Sequence, residues 1–377
     1  MTSPTALQSP PLAGSQWAAP FERVGDLRAM AVLRILLGPI TLLHLAPFLR
    51  DARAGVGYDD HFWAPYVSWA PSPPGEVWGV VLWIGAGGAV LMTLGVLTRL
   101  STATTFVVVA GNLLLSQTHF RHNRAFLALL LGGLALVPAG RVLSLDAWWR
   151  RVRGGPAAST IAPVWPLLLL RTQVSLVYLT SGISKLVDPD WLSGVVLWDR
   201  AVRYQHALDS LPSWSVDVLT WRGLYWVVAP AAILTELVIG VGLWFGRTRL
   251  ATVWLAMAFH LSIEISARVE VFSYAAIAAL IIWVTPAARD RVVRLRPGDR
   301  VARVLGAAVR TLDWFGRFRI EPARPGDATV TVIDRDGRAL TGRAAARLIL
   351  TRLPATFPIA VLMSSGDRRV AARAAAS

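Results

Sequence analysis

The segment LLLLRTQVSLVYLTSGISKL, residues 167–186, decides the fold class. Its 20 residues are mostly apolar, and about 20 such residues are what a helix needs to cross the hydrocarbon core of a bilayer. Arg171, Tyr178 and Lys185 follow one another at intervals of seven, which places them on one face of a helix. The segment therefore predicts a membrane-spanning helix with one polar face.

The composition of the whole chain agrees with that prediction. Of its 377 residues, 54% are hydrophobic and only 16% are charged, and its mean hydropathy of +0.50 is too high for an ordinary soluble protein. The sequence predicts an all-α polytopic membrane protein with about eight transmembrane helices and a small βαβ-like C-terminal cytoplasmic appendage. The apolar stretches lie at about 30–49, 77–97, 103–118, 125–139, 163–185, 224–245, 250–266 and 271–286.

The net charge of +15 is concentrated behind the last apolar stretch. From Arg289 onward the chain holds 18 Arg and 8 acidic residues, and no nucleic-acid recognition motif accompanies them. This pattern predicts a tail beside anionic lipid and no nucleic-acid partner. The sequence contains no cysteine, which excludes disulfides, thiolate nucleophiles and metal–thiolate sites.

Basic connections indicate the orientation in the membrane. Arg99, the segment 141–153, Arg247 and the basic tail fall on one side if both termini are cytoplasmic. We therefore expect a multi-pass protein of the plasma (inner) membrane with both ends inside. The segment SLDAWWRRVRGG, with Ser144 before Asp146, predicts a short interfacial helix that anchors the chain on that side.

The sequence suggests four regions. Residues 1–24 are expected to be a disordered arm, 25–290 the transmembrane domain, and 291–328 a basic cytoplasmic linker. The appendage is expected at 329–377. There the pattern predicts a strand, a turn at Asp336–Gly337, an amphipathic helix near 342–353 and another strand.

Lys185 is the only lysine among 38 basic residues. Arginine serves everywhere else, so the one lysine suggests a task that arginine does not perform. An ammonium can lose its proton when it is desolvated, whereas a guanidinium effectively cannot. The alternative is a lysine at a helix end that extends its amine to the membrane surface.

Other ionisable residues within apolar stretches are candidates for function. His260 and Glu264 share one helix face and either border an outward-facing cavity with Lys185 or form a local hydrogen-bonded pair. They lack a third metal ligand, and HLSIE is not a zincin pattern, so no metal site is expected. A last group is expected to form interhelical pairs that satisfy one another: Arg34, Arg171 and Glu236.

Two predicted outer loops, 50–76 and 187–222, are rich in Trp and Tyr. Such residues anchor a protein at the level of the lipid headgroups, or they cover a ligand pocket. His122 and Asn123 belong to QTHFRHNR, residues 117–124, at another outer turn. That turn is either interfacial or a rim of the same cavity.

The stretch 170–194, LRTQVSLVYLTSGISKLVDPDWLSG, resembles the corresponding stretch of vitamin K-dependent gamma-glutamyl carboxylases. It also resembles the wider group of HTTM proteins, which share the carboxylases' membrane domain. His260 followed by Phe272, VLRILLG in the first apolar stretch and SLDAWWRR extend the resemblance over roughly 25–290. The residues of the main stretch that match the pattern are Arg171, Gln173, Tyr178, Gly182, Lys185, Leu186, Asp190, Trp191 and Gly194.

The resemblance implies quinol-linked oxidation or carboxylation. The cofactors it implies are a reduced quinone (vitamin K or menaquinone hydroquinone), O2 and, for carboxylation, CO2. In the carboxylases, the lysine at the position of Lys185 is the base that deprotonates the hydroquinone. We therefore expect Lys185 and its hydrogen-bonding partner His260 to be catalytic. The bilayer and a peptide or protein substrate are the expected partners. The residues expected to bind the quinone are Arg171, Gln173, Tyr178, Trp191, Glu264, His122 and Asn123.

The chain also departs from the carboxylases. It has no segment long enough for their large luminal domain, and Arg124 stands where they have a histidine. The tail at 329–360 resembles a thioredoxin-like appendage, but without cysteine it cannot perform thiol redox chemistry. Two alternatives stay open: a non-catalytic membrane factor for export, maturation or lipid binding, and a transporter. The sequence carries no signal for an oligomeric state.

Overall fold

The computed structural model describes residues 24–55, 58, 63–69, 72–156, 158–163, 165–203, 212–267, 269, 271–284, 291–313 and 316–358. The predicted N-terminal arm, 1–24, lies outside these residues except for Val24, the first residue of strand β1 (Val24–Asp26). Strand β2 (Ile161–Pro163) pairs antiparallel with β1.

The first part of the chain is helical. Each of the eight apolar stretches in the sequence overlaps one helix, and short helices occupy two of the connections. The helices are α1 (Arg28–Ala54), α2 (Gly75–Leu94), α3 (Thr98–Leu115), α4 (His122–Ala135), α5 (Leu145–Val152), α6 (Trp165–Leu186), α7 (Pro189–Leu192), α8 (Val195–Arg203), α9 (Ser213–Thr220), α10 (Tyr225–Gly242), α11 (Arg249–Ala267) and α12 (Phe272–Ala279), which continues as a 3₁₀ turn, Leu280–Trp283.

Within the described residues, five helical segments are long and apolar enough to cross a membrane: α1, α2, α3, α6 and Arg222–Gly242, which contains α10. The helix α4 has 14 residues, and Phe272–Trp283 is a shorter apolar segment. Leucine, valine and isoleucine side chains on these helices stay exposed in the isolated chain, as expected for surfaces that contact lipid. The helical part of the chain therefore has the architecture of an α-helical membrane protein.

The connections between successive helices alternate between two ends of the helical domain. We call one end the basic face; it carries the described residues of the connections 95–97, 136–164 and 243–248. We call the other end the aromatic face; it carries the described residues of the connections 55–74, 116–121, 187–224 and 268–271. The β1–β2 pair lies on the basic face because it directly precedes α1 and α6.

Several threonine hydroxyl groups inside the spans are bonded to their own helix. Thr41 donates to Leu37 O, and Thr102 and Thr105 donate to carbonyls one turn earlier in α3, each at 2.7 Å. Such bonds leave no unsatisfied donor in a medium without water. They allow α3, which is rich in threonine, to lie within the bilayer.

The interfacial helix α5 forms as the sequence predicts. Its N-cap residue Ser144 accepts a hydrogen bond from Ala147 N at 3.0 Å. Asp146 accepts hydrogen bonds from Leu97 N at 3.1 Å and from Thr98 N at 3.2 Å, so α5 is tied to the turn between α2 and α3. The carboxylate thus caps the first turn of α3.

The last part of the chain is a small α/β domain, which we call the C-terminal domain. A four-stranded sheet has the order β4–β3–β5–β6, with β3 and β4 parallel and the other pairs antiparallel. Its core holds Val293, Val332 and Ile349. Its elements are β3 (Arg291–Leu295), α13 (Arg300–Leu312), β4 (Phe318–Pro322), β5 (Val330–Ile333), β6 (Ala339–Thr341) and α14 (Gly342–Arg352).

This domain corrects the boundary drawn from the sequence. The expected linker 291–328 contains β3, α13 and β4, and β3 is a central strand of the sheet. The expected strand, turn and helix of 329–353 lie where predicted, with Gly337 at φ +80° in the turn. The second predicted strand falls on a turn at Pro354–Thr356 and otherwise beyond 358, outside the described residues.

Candidate functional site

Lys185 lies near the end of α6, on the side of the aromatic face, and is held by two partners. Its Nζ donates to both carboxylate oxygens of Glu236 at 2.6 Å and to Ser181 Oγ at 2.8 Å. Glu236 belongs to α10, so the ion pair joins two candidate spans. The side chains of Lys185 and Glu236 are only 15% and 9% exposed.

Small residues let α6 and α10 come close enough for this ion pair. A Cβ at Gly182 would lie 2.8 Å from Leu237 Cδ2, and a Cβ at Gly240 would lie 2.7 Å from Leu179 Cδ2. Neither position has room for a side chain without movement of the opposing leucine. The two glycines therefore set the helix separation, as small residues do between membrane helices.

Trp191 closes the other side of the lysine. The ammonium lies 4.6 Å from the centre of the Trp191 ring, within the range of a cation–π contact. The short helix α7 orients this tryptophan, because its N-cap Asp188 accepts hydrogen bonds from Asp190 N and Trp191 N. Lys185 is thus surrounded by a carboxylate, a hydroxyl and a flat aromatic ring.

A second polar pair lies deeper in the domain. Tyr178 Oη is 2.6 Å from His260 Nε2, and both side chains are buried, His260 completely. The His260 ring packs against Phe259 and Phe272 with ring centres 5.6 and 5.5 Å away. His260 Nδ1 has no hydrogen-bond partner within the described part of the chain. This nitrogen is free to bond a water molecule or a polar ligand atom.

Glu264 is bonded to a tyrosine of the following helix. Its Oε1 accepts a hydrogen bond from Tyr274 Oη at 3.0 Å. Its Oε2 is buried and makes no hydrogen bond to any described residue. His260 and Glu264 therefore do not form the local pair considered from the sequence, because each side chain has another partner.

Distances along α6 separate the predicted site residues into those near Lys185 and those far from it. Tyr178 is seven residues from Lys185, about 10 Å along the helix axis, whereas Arg171 is 14 residues away, about 21 Å. Arg171 donates to Ile282 O at 3.0 and 2.7 Å and stacks over the Trp283 ring. Arg171 is therefore far from Lys185. Gln173, half-buried, lies on the same distant part of α6.

Two expected pairings are corrected by this geometry. The partner of Lys185 is Glu236, not His260, whose own partner is Tyr178. Arg34, Arg171 and Glu236 do not satisfy one another either. Both arginines donate to main-chain carbonyls, and the carboxylate binds Lys185.

His122 and Asn123 begin α4 on the aromatic face. His122 is exposed and its ring packs edge-on against Phe120, with ring centres 5.5 Å apart, while Asn123 is half-buried. Among the described residues neither touches Lys185 or Glu236 through a hydrogen bond or ion pair. They are rim positions and not members of the ion-pair cluster.

A buried polar network beneath that turn has no counterpart in the sequence prediction. Asn112 Oδ1 accepts hydrogen bonds from Tyr58 Oη at 2.9 Å and from Trp78 Nε1 at 2.8 Å. His119 Nδ1 lies 3.1 Å from the carbonyl of Asn112. The described residues contain no group of three or more His, Asp or Glu side chains that could hold a metal ion.

The sequence profile of the HTTM domain family matches residues 22–287, well over half of the chain. The chain belongs to the HTTM domain family. HTTM is the membrane domain associated with vitamin K-dependent carboxylases. Among curated proteins and solved structures, no significant similarity to the chain was found.

The HTTM domain covers α1 to α12 and both residues of the ion pair, and it ends before the C-terminal domain. Sequence reasoning assigned Glu236 to a structural pair. One signal in the HTTM domain points to its actual role: Glu236 and the only lysine of the chain both lie within apolar spans, where an unpaired charge is costly, so the two side chains favour pairing.

Tyr178→Phe tests the deeper pair of the HTTM domain. It removes the hydroxyl and leaves the buried His260 ring without its described partner, so we expect a loss of about 1–3 kcal/mol of stability. The measurement is thermal unfolding in detergent. Tyr66→Phe is the matched control because Tyr66 is 50% exposed. Equal melting temperatures for the two variants would show that the pair contributes nothing.

Proposed function

We propose that this HTTM domain binds a hydroquinone lipid near its aromatic face and that the Lys185–Glu236 pair removes a proton from it. The single observation that carries the proposal is the only lysine of the chain, largely buried and bonded to a carboxylate on a neighbouring span. The membership of the family supports it, because the carboxylases associated with this domain act on a reduced quinone.

The pair can accept one proton as a unit. An N–H bond of the Lys185 ammonium breaks as its proton passes to a Glu236 oxygen, where an O–H bond forms. The neutral amine then takes the proton of the hydroquinone, so the O–H bond of the hydroquinone breaks and the N–H bond re-forms, which leaves a protonated Glu236 and an ammonium beside the phenolate. The lysine carries the proton, since an amine can release and regain it while a guanidinium cannot. Glu236, 2.6 Å from Nζ, is within reach for that transfer.

The surroundings of Lys185 support a ring-shaped substrate. Trp191 offers a flat apolar surface beside the ammonium, on which a quinol ring can stack. The exposed aromatic residues of the neighbouring loops, Trp214 and Trp221 among them, suit an entry from the headgroup region. In this proposal His122 and Asn123 are rim residues, and Tyr178, His260 and Glu264 form the inner polar wall.

The reaction proposed for the bound hydroquinone is oxygenation. Hydroquinone and O2 give the quinone epoxide and water, so no other oxidant or reductant is needed. Carboxylation of a peptide glutamate would require CO2 and a peptide substrate in addition. Reduced vitamin K and reduced menaquinone are the two substrates to test.

The finer architecture belongs to the same proposal. We propose eight membrane crossings, with α4, α11 and α12 as the spans beyond the five long apolar ones. Both ends would be cytoplasmic, in a plasma (inner) membrane. The C-terminal domain would be a thioredoxin-like fold without redox function; its parallel β3–α13–β4 unit followed by antiparallel strands supports that assignment.

The test is oxygen consumption by the purified full-length protein in detergent, supplied with reduced menaquinone or reduced vitamin K. Mass spectrometry of the extracted lipid then looks for the epoxide. The epoxide is about 14 mass units heavier than the hydroquinone, because it has gained one oxygen and lost two hydrogens. Protein-dependent epoxide supports the proposal. Oxygen consumption without epoxide, or none above a protein-free sample, contradicts it.

The ion pair itself favours a second candidate, a non-catalytic membrane factor. An ammonium bonded to two carboxylate oxygens joins α6 to α10, and this structural role requires no chemistry. In that case Lys185→Arg would retain function, because a guanidinium also pairs with Glu236. Substitutions in the aromatic loops would then be the damaging ones.

A further inference from the structure

A cavity of about 430 Å³ opens on the basic face, far from Lys185. It lies where the turn between α2 and α3, the residues before α5, and α5 itself meet. Arg99, Arg141 and Arg150 line it together with a single carboxylate, Asp146. The lining therefore brings three guanidinium groups to one concave surface.

The positive charge of this cavity is only partly neutralised by the protein, because one carboxylate faces three guanidinium groups. Asp146 is already engaged by Leu97 N, Thr98 N and Thr98 Oγ1. The guanidinium groups of Arg99 and Arg141 form no hydrogen bond or ion pair with any residue that the structure describes. Arg150 reaches only Gly140 O, at a long 3.4 Å. Guanidinium groups in such a setting are suited to bind phosphate oxygens.

The position of the cavity relates it to the membrane surface. The turn at Gly95–Leu97 joins two candidate spans, so the cavity lies where the hydrocarbon region ends. Leu97 and Leu100 line it and are 63% and 64% exposed. On the adjacent α5, Trp148 and Trp149 are also exposed, as is usual at the headgroup level.

We infer that this cavity binds the phosphate of a phospholipid with a net negative headgroup. The three arginines would contact the phosphate, and the acyl chains would lie along the exposed leucines of the turn. A zwitterionic headgroup fits less well, because its ammonium would approach three guanidinium groups while the one carboxylate is engaged. This site is independent of the proposed chemistry at Lys185.

The test is titration of delipidated full-length protein with phosphatidylglycerol, followed by native mass spectrometry. The variant is Arg99→Gln/Arg141→Gln, which removes two lining charges that hold no described partner. The matched control is Arg151→Gln/Arg247→Gln, two exposed arginines outside the cavity lining with the same charge change. Arg99→Lys/Arg141→Lys keeps the charges and checks that the effect is electrostatic.

We expect the glutamine variant to bind phosphatidylglycerol roughly 30-fold more weakly than wild type, since each arginine near anionic lipid contributes a factor of about 5. The control and the lysine variant should stay within about threefold of wild type. Equal loss in the control pair would overturn the site, as would equal affinity of the wild type for phosphatidylcholine. Displacement of the lipid by inorganic phosphate at equal concentration would assign the cavity to a free anion instead.

Discussion

Lys185→Arg is expected to lower quinol oxygenation at least 100-fold, because proton transfer by a positioned base contributes about 10²–10⁴ to a rate. The guanidinium keeps the positive charge beside Glu236 and Trp191 but cannot carry the proton. The variant should still fold, since arginine also pairs with a carboxylate. The measurement is the rate of epoxide formation at saturating reduced quinone.

Two further substitutions provide comparisons for the activity and the stability of Lys185→Arg. Lys185→Ala leaves Glu236 as an unpaired buried charge, which costs about 3–5 kcal/mol, so that variant should lose both activity and stability. Arg203→Lys is a control, because the Arg203 side chain is 74% exposed and pairs with Asp199 one turn away on the same helix. Retention of full epoxide formation by Lys185→Arg would show that Lys185 is not the base.

Arg34→Met is expected to destabilise the protein by about 3–5 kcal/mol without touching the ion-pair cluster. Arg34 is completely buried, and its guanidinium donates to the carbonyls of Met92, Thr93 and Leu143. Removing it leaves three carbonyl groups without that donor in a region that excludes water. The cost of each such loss is about 1–3 kcal/mol.

The measurement for Arg34 is unfolding in detergent by heat or denaturant. Arg50→Met is the matched control, because Arg50 lies on the same helix, α1, and is exposed. The control should unfold like wild type. Equal stability of the two variants would mean that the carbonyls find other donors at no cost.

Ser144 and Arg34 together leave no room for a side chain at Gly95. This glycine has φ +74°, and a Cβ there would lie closest to Ser144 Cβ and 2.7 Å from Arg34 Nη1. The guanidinium thus joins α1, the end of α2 and the segment before α5. In the sequence Arg34 is a lone charge in an apolar stretch, and no carboxylate was needed to satisfy it.

The helices could be predicted because their signal is local. Eight apolar stretches overlap eight helices, and Ser144 marks the start of α5 as a capping residue. The local sequence of 291–328 predicts a linker because arginines dominate its pattern. Arg291, however, is buried in an ion pair with Asp334, 43 residues later, and such a partner cannot be read from local sequence.

The candidate site was predictable only in part for the same reason. Lys185 stood out as the only lysine of the chain. Its partner Glu236 is 51 residues away, and the partners Tyr178 and His260 are 82 residues apart. The spacing of His260 and Glu264 suggested contact within one helix, but side chains from α6 and α12 bind them instead.

The most direct test of the central claim is the absorbance spectrum of a reduced quinone bound anaerobically to the purified protein. Without oxygen no turnover follows, so the spectrum reports only whether the bound hydroquinone has lost its proton. We predict a phenolate spectrum with wild type and a neutral hydroquinone spectrum with Lys185→Arg at equal occupancy. A neutral hydroquinone bound to wild type, or a phenolate bound equally to both proteins, would contradict the role of the Lys185–Glu236 pair as proton acceptor.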